Sequence, residues 1–185
     1  MDLLVIFIIA MGLAMDCFTI SISNSSISGL VKPGISLKVS IAFAFAHLVA
    51  LVLGYQLGGL VQNMFQGLEQ WAAFMILGIV GIKMIMEVRR RHPSTKVFDI
   101  NQTKVIVVLS LATAMDAFLA GVAMGVVRLG LVLPSVMVTL IVFIFTIAGM
   151  AGGSQLGLAY AKKTAYFGGS FMLMASALFL VAQFI

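Results

Sequence analysis

The chain has 185 residues, 62% hydrophobic and only 9% charged, with a formal net charge of +5 and a mean hydropathy of +1.19. Soluble domains carry roughly 25% charged residues, so the composition excludes a water-soluble fold and indicates an integral membrane protein. A single cysteine, Cys17, excludes an internal disulfide framework and a Cys-rich metal cluster.

A membrane helix needs about 20 mostly apolar residues, and six windows qualify. The first, 3–23, opens MDLLVIFIIAMGLAMD with no basic n-region, and reads as a first span rather than a cleaved signal peptide. It contains AMDCF (14–18). The polar stretch SISNSSISG (21–29) follows, read either as an unwound exit lined with oxygen ligands or as a flexible loop. The second window, 36–60, places Ala46, Ala50, Gly54 and Gly58 four apart on one helix face, where backbones can approach closely, with His47 on that side. The third, 70–88, holds Lys83 toward one end, where it can snorkel to the interface or pair with Glu87 at i+4. RRRHPSTK (89–96) comes next, either a topology signal or a lipid-binding loop. The fourth window, 104–126, contains AMDAF (114–118). The fifth, 132–156, repeats the small-residue stripe at Gly149 and Gly153, continued by Gly157, and the sixth is 165–185. The predicted fold class is an all-α polytopic membrane protein with six transmembrane helices.

Basic residues give the predicted direction. Lys32, Lys38, Arg89, Arg90, Arg91, Lys96, Lys104, Lys162 and Lys163 fall on one side, and only Arg128 on the other. Positive loops face the cytoplasm, so both termini are predicted outside. The positive charge therefore reads as topology, with no nucleic-acid partner.

AMDAF echoes AMDCF at an offset of 100, and GSQLG (153–157) echoes GYQLG (54–58) at an offset of 99. Spans one and four match, as do two and five. A unit of three spans is odd, so the second unit enters from the opposite face. The expectation is two inverted three-helix repeats, 1–95 and 96–185, related by a pseudo-twofold axis in the membrane plane.

Asp16 and Asp116 lie 12–13 residues into their spans, about 18–20 Å deep in hydrocarbon about 30 Å thick. Each costs about 2.5–3.5 kcal/mol at a helix centre. No basic partner is expected near them, so protonation or a bound cation would offset the cost, and two carboxylates neutralise one divalent ion. Gly12, Thr19 and Ser23 share a face with Asp16, and Ala112, Thr113, Ala120 and Ala123 surround Asp116. His47 could ligate a transition metal, shuttle a proton, or simply pack with a hydrogen bond. Thr146 is its counterpart in the fifth span, and Gln56 and Gln155 correspond nearer the helix ends. Met15 and Met115 adjoin the aspartates and offer thioethers or packing. Asp16, Asp116, His47, Thr19 and Thr113 are the candidate ligands, and oxygen donors suit a hard divalent cation.

GLAMDCFTISIS (12–23), ATAMDAFLAGVAMG (112–125) and GIKMIMEV (81–88) resemble the bacterial MntP-type manganese exporters, relatives of the lysine-exporter superfamily. The resemblance covers nearly the whole chain. It implies secondary transport of Mn²⁺ out of the cytoplasm across the bacterial inner membrane, with the aspartates corresponding to Asp16 and Asp116 essential and no permanently bound cofactor. Family members often carry Glu or Gln where His47 stands and Lys-Gly where this chain has Asn24-Ser25. No P-loop is present, so a gradient would drive transport. The alternatives are export of another divalent cation or of a basic amino acid, an intramembrane aspartyl protease dyad, and a non-transporting scaffold or sensor.

Overall fold

The computed structural model describes residues 2–28, 31–62, 69–90 and 102–181, so most of RRRHPSTK lies outside the described residues. Among the described residues there are five helices and no strand: α1 (Asp2–Ser28), α2 (Pro33–Val61), α3 (Glu69–Arg90), α4 (Thr103–Val126) and α5 (Val132–Val181). An apolar solvent offers the backbone no hydrogen-bond partners, and a helix satisfies its own. Pro33 and Pro134 both fall in the first turn of a helix, where a missing N–H costs nothing.

Four segments are long and apolar enough to cross a membrane: Leu3–Ser26, Pro33–Val61, Thr103–Val126 and Val132–Gly153. Trp71–Lys83 and Tyr166–Leu178 are shorter apolar helical segments. The helices turn large apolar side chains outward in rows. Leu37, Ile41, Phe45, Val49, Leu53 and Leu57 form one on α2, Trp71, Met75 and Ile79 one on α3, and Val136, Leu140 and Ile144 one on α5. Such rows are unfavourable in water and neutral against lipid.

The polar stretch after AMDCF departs from expectation. SISNSSISG is neither an unwound exit nor a flexible loop where it is described, because α1 stays helical to Ser28. Packing against α5 overrides the weak helix propensity. The Ser25 hydroxyl donates to the Met150 carbonyl at 2.7 Å and the Ser26 hydroxyl to the Gly153 carbonyl at 2.6 Å.

Helices α2 and α4 lie side by side and parallel. Near their starts Lys38 Nζ donates to Thr103 Oγ1 at 2.9 Å, and at their ends Arg128 Nε donates to Gln62 Oε1. Between these points the backbones touch. A Cβ on Gly54 would collide with the Phe118 carbonyl, one on Gly121 with the Leu51 carbonyl, and one on Gly125 with the Tyr55 carbonyl.

Helix α1 packs mainly on α5. Positions for a Cβ on Gly149 lie 3.0 Å from the Phe18 carbonyl, and on Gly153 2.8 Å from the Ile22 carbonyl, so this stretch of α5 advances alongside α1. Further on the direction is opposite: Thr164 Oγ1 is 2.8 Å from Thr19 Oγ1, and Met172 lies against Gly12. A straight helix of 50 residues would be about 75 Å long. The contacts instead require the axis of α5 to turn back between Gly153 and Thr164. The returning arm meets α3 in antiparallel fashion, with Ser176 Oγ donating to the Phe74 carbonyl at 2.9 Å and Gly81 against Leu173.

Replacing Gly121 by valine should destabilise the protein by about 1–3 kcal/mol, read as a lower thermal midpoint in detergent. Gly34→Ala, with nothing within 4 Å, should leave the midpoint at or slightly above wild type. A wild-type midpoint for Gly121→Val would contradict the α2–α4 contact.

Candidate functional site

The inward face of α4 is made of small and weakly polar residues, Ser110, Thr113, Ala114, Ala117, Ala120 and Gly121, and Asp116 sits among them with 7% of its surface exposed. Small neighbours let adjacent helices close over the carboxylate. Its partner comes from α3: Lys83 Nζ is 2.7 Å from Asp116 Oδ1. The Lys83 side chain remains 51% exposed and that of Asp116 10%.

This corrects the expectation that no basic partner lies near the aspartates. Lys83 does not simply snorkel; it crosses from α3 to α4, over a separation of 33 residues. The side chain of Glu87, the alternative local partner, lies outside the described residues. Sequence spacing reveals only neighbours on one helix, so a pairing between helices is not legible from it.

A fully buried pair lies between α1 and α2. Cys17, fully buried on α1, has its Sγ 3.5 Å from Nε2 of His47 on α2, itself fully buried. His47 Nδ1 is 2.9 Å from the Phe43 carbonyl. A carbonyl only accepts, so Nδ1 carries a hydrogen and Nε2 of the neutral ring is left to accept from the thiol. The Thr113 side chain of α4 also lies within reach of the thiol. Cys17 thus joins α1 to His47 on α2 and to Thr113 on α4, and Asp16 precedes it in the chain. Composition marks it only as the lone cysteine, and its place next to Asp16 is the signal that could have singled it out.

The remaining candidates are distributed differently. Asp16 is partly buried. Thr19 faces α5: its hydroxyl lies 2.8 Å from Thr164 Oγ1 and donates to the Met15 carbonyl at 2.7 Å. Thr113 donates to carbonyls of its own helix, Ser110 at 3.0 Å and Leu109 at 3.2 Å. Thr146 is buried and donates to the Val142 carbonyl at 2.7 Å. Gln56 and Gln155 are exposed rather than packed, and Met115 is more than half exposed. Among the described residues no three or more His, Cys, Asp or Glu side chains gather closely enough to hold a metal ion by themselves.

A turn further along α1, Ser21 Oγ and both amide atoms of Asn24 are buried without a hydrogen-bond partner. Ser21 and Asn24 are four and seven residues beyond Cys17, on the same face. Buried polar groups left unsatisfied cost about 1–3 kcal/mol each, so this polar row is an expensive feature.

The outward apolar rows and the membrane-length helices define a multi-pass helical membrane protein. The family described as "Putative manganese efflux pump" (Mntp) matches residues 31–180. Relatives given that same description as MntP include proteins from Methanothermobacter thermautotrophicus, 32% identical over 94% of this chain and 93% of its own length, and Methanoregula boonei, 31% identical over 94% of each. A third, from Crocosphaera subtropica, is 26% identical over 100% of this chain and 98% of its own. No solved structure matches. The chain belongs to the MntP family.

The Lys83–Asp116 contact should appear as energetic coupling. In a double-mutant cycle of Lys83→Met and Asp116→Asn, the two single losses of stability should exceed the double loss by about 1–3 kcal/mol. Strict additivity of the thermal shifts would mean the two groups do not interact.

Proposed function

We propose that this protein is a secondary transporter that exports Mn²⁺ from the cytoplasm by alternating access, with the ion held between Asp16 and Asp116 at mid-membrane. The observation that carries the reading is an enclosed carboxylate, Asp116, on the inward face of α4, in a chain whose family and relatives carry the description of manganese efflux pumps. Two carboxylates match the charge of a divalent ion, and the hydroxyls of Thr113 and Thr19, with His47 Nε2, are the further ligands in this reading. Hard oxygen donors with an imidazole suit Mn²⁺. Thr19 would have to leave Thr164, and Thr113 its own backbone, on binding.

We read the fold as six spans in two inverted three-helix repeats, 1–95 and 96–185, with the arms of α5 as the fifth and sixth. The packing supports it. Gly54 lies on Phe118 and Val122, and Gly153 lies on Ile22, which is the same contact moved by 99 and 100 residues. The outward row Leu37, Ile41, Phe45 repeats as Val136, Leu140, Ile144 at an offset of 99. In each case the first helix of one repeat packs on the second helix of the other. Rocking of the repeats about the central site would open it first to one side and then to the other. In this reading the basic loops face the cytoplasm, with both termini outside and the chain in the inner membrane.

A second reading, export of a basic amino acid, is favoured by one observation: Asp116 already accepts an ammonium group, that of Lys83. Non-radioactive lysine competing with labelled manganese would support it.

In manganese-sensitive cells, Asp16→Asn and Asp116→Asn should each abolish the lowering of cell manganese that the wild type gives. Export at the wild-type rate by both variants would overturn the site. Cys17 is the sole cysteine and a native reporter. Small thiol reagents should modify it slowly, and more slowly still with Mn²⁺ bound. Modification at an unchanged rate would place the ion elsewhere.

A further inference from the structure

The Lys83 ammonium and a metal ion cannot share Asp116 Oδ1. At 2.7 Å the ammonium occupies the position a cation would take. A dication arriving at Asp116 meets the ammonium already seated there, and the two like charges repel each other at close range in a low-dielectric interior. Withdrawal of the lysine relieves that repulsion and leaves the carboxylate to the ion. The lysine has a way out: its side chain is half exposed, whereas Asp116 is held buried on α4. Its long flexible stem can carry the charge away while α3 stays packed through Gly81 and Gly169 against α5.

We propose that Lys83 is a tethered counter-cation that alternates with the transported dication on Asp116. Withdrawal of the ammonium admits the ion. Its return displaces the ion after the site has opened to the other side, and then neutralises Asp116 so that the empty protein can reorient. The anchor is on α3 and the carboxylate on α4, so the exchange reports ion occupancy to the contact between the two helices. A cargo bound by charge in an apolar site needs such a competitor, since otherwise the affinity that captures it also delays its release. This inference rests on the reading that Asp116 binds the cargo.

The test uses purified full-length protein in lipid nanodiscs and proteoliposomes, with Mn²⁺ as the probe. Lys83→Met should bind Mn²⁺ about tenfold more tightly or better. It should lose most net Mn²⁺ efflux while keeping Mn²⁺/Mn²⁺ exchange, because exchange does not require the empty protein to reorient. Lys83→Arg should keep affinity near wild type. Lys83→Met with unchanged or weaker affinity, or with efflux and exchange lost in parallel, would overturn the proposal. Asp116→Asn separates the two layers. If it binds Mn²⁺ as wild type does, the Asp116 assignment fails and the Lys83 role with it. If it loses binding while Lys83→Met gains none, the Lys83 role alone is wrong. Should Lys83→Met not fold, the wild type supplies a second measurement. Saturating Mn²⁺ should raise the labelling of Lys83 by an amine-reactive probe, quantified by mass spectrometry, and labelling indifferent to Mn²⁺ would overturn the proposal.

Discussion

The structure depends on backbone-to-backbone contact between helices. In lipid there is no hydrophobic force pressing helices together, so close van der Waals packing has to do it. Gly54, Gly121 and Gly125 let α2 and α4 touch through their peptide groups, and Gly149 and Gly153 do the same for α5 against α1. Larger residues would separate these pairs, and the inward faces that carry Asp116, Cys17 and His47 would no longer be sealed together.

Close packing creates a second problem, since it removes polar groups from any solvent. The molecule meets it unevenly. The hydroxyls of Ser25, Ser26, Thr113 and Thr146 donate to backbone carbonyls. His47 is tied to Phe43 and to Cys17. Asp116 receives a full charge from Lys83. Only Ser21 and Asn24 are left with buried, unsatisfied side-chain atoms among the described residues. Polar groups tied to their own helix contribute to the fold. Groups tied across helices by contacts that can be exchanged, above all Lys83 with Asp116, are suited to movement.

The two charged partners are also unequal. Asp116 is enclosed by small residues on α4, and Lys83 reaches it from α3 on a long chain with half its surface open. Separating the pair leaves the enclosed carboxylate without its counter-charge, which is costly unless another cation takes the place. In the proposed exchange the lysine, on its long stem, is the member that moves.

Much of this was legible in the amino-acid order. Composition alone determined a helical membrane protein, because an apolar solvent permits few other backbones. The first four apolar windows located α1 to α4 to within a few residues, whereas the fifth and sixth fall on the one helix α5, and the two AMD motifs drew attention to Asp16 and Asp116. Helicity of SISNSS was not legible, since the hydroxyls of Ser25 and Ser26 are satisfied by carbonyls more than 120 residues away. The turning back of α5 after Gly153 follows the gap between the fifth and sixth apolar windows, whereas its continuity as one helix and the meeting of Lys83 with Asp116 were decided only by tertiary structure. Periodicity reports which residues share one helix face, whereas the partner a buried charge finds depends on which helices lie side by side, a property of packing between segments distant in the chain.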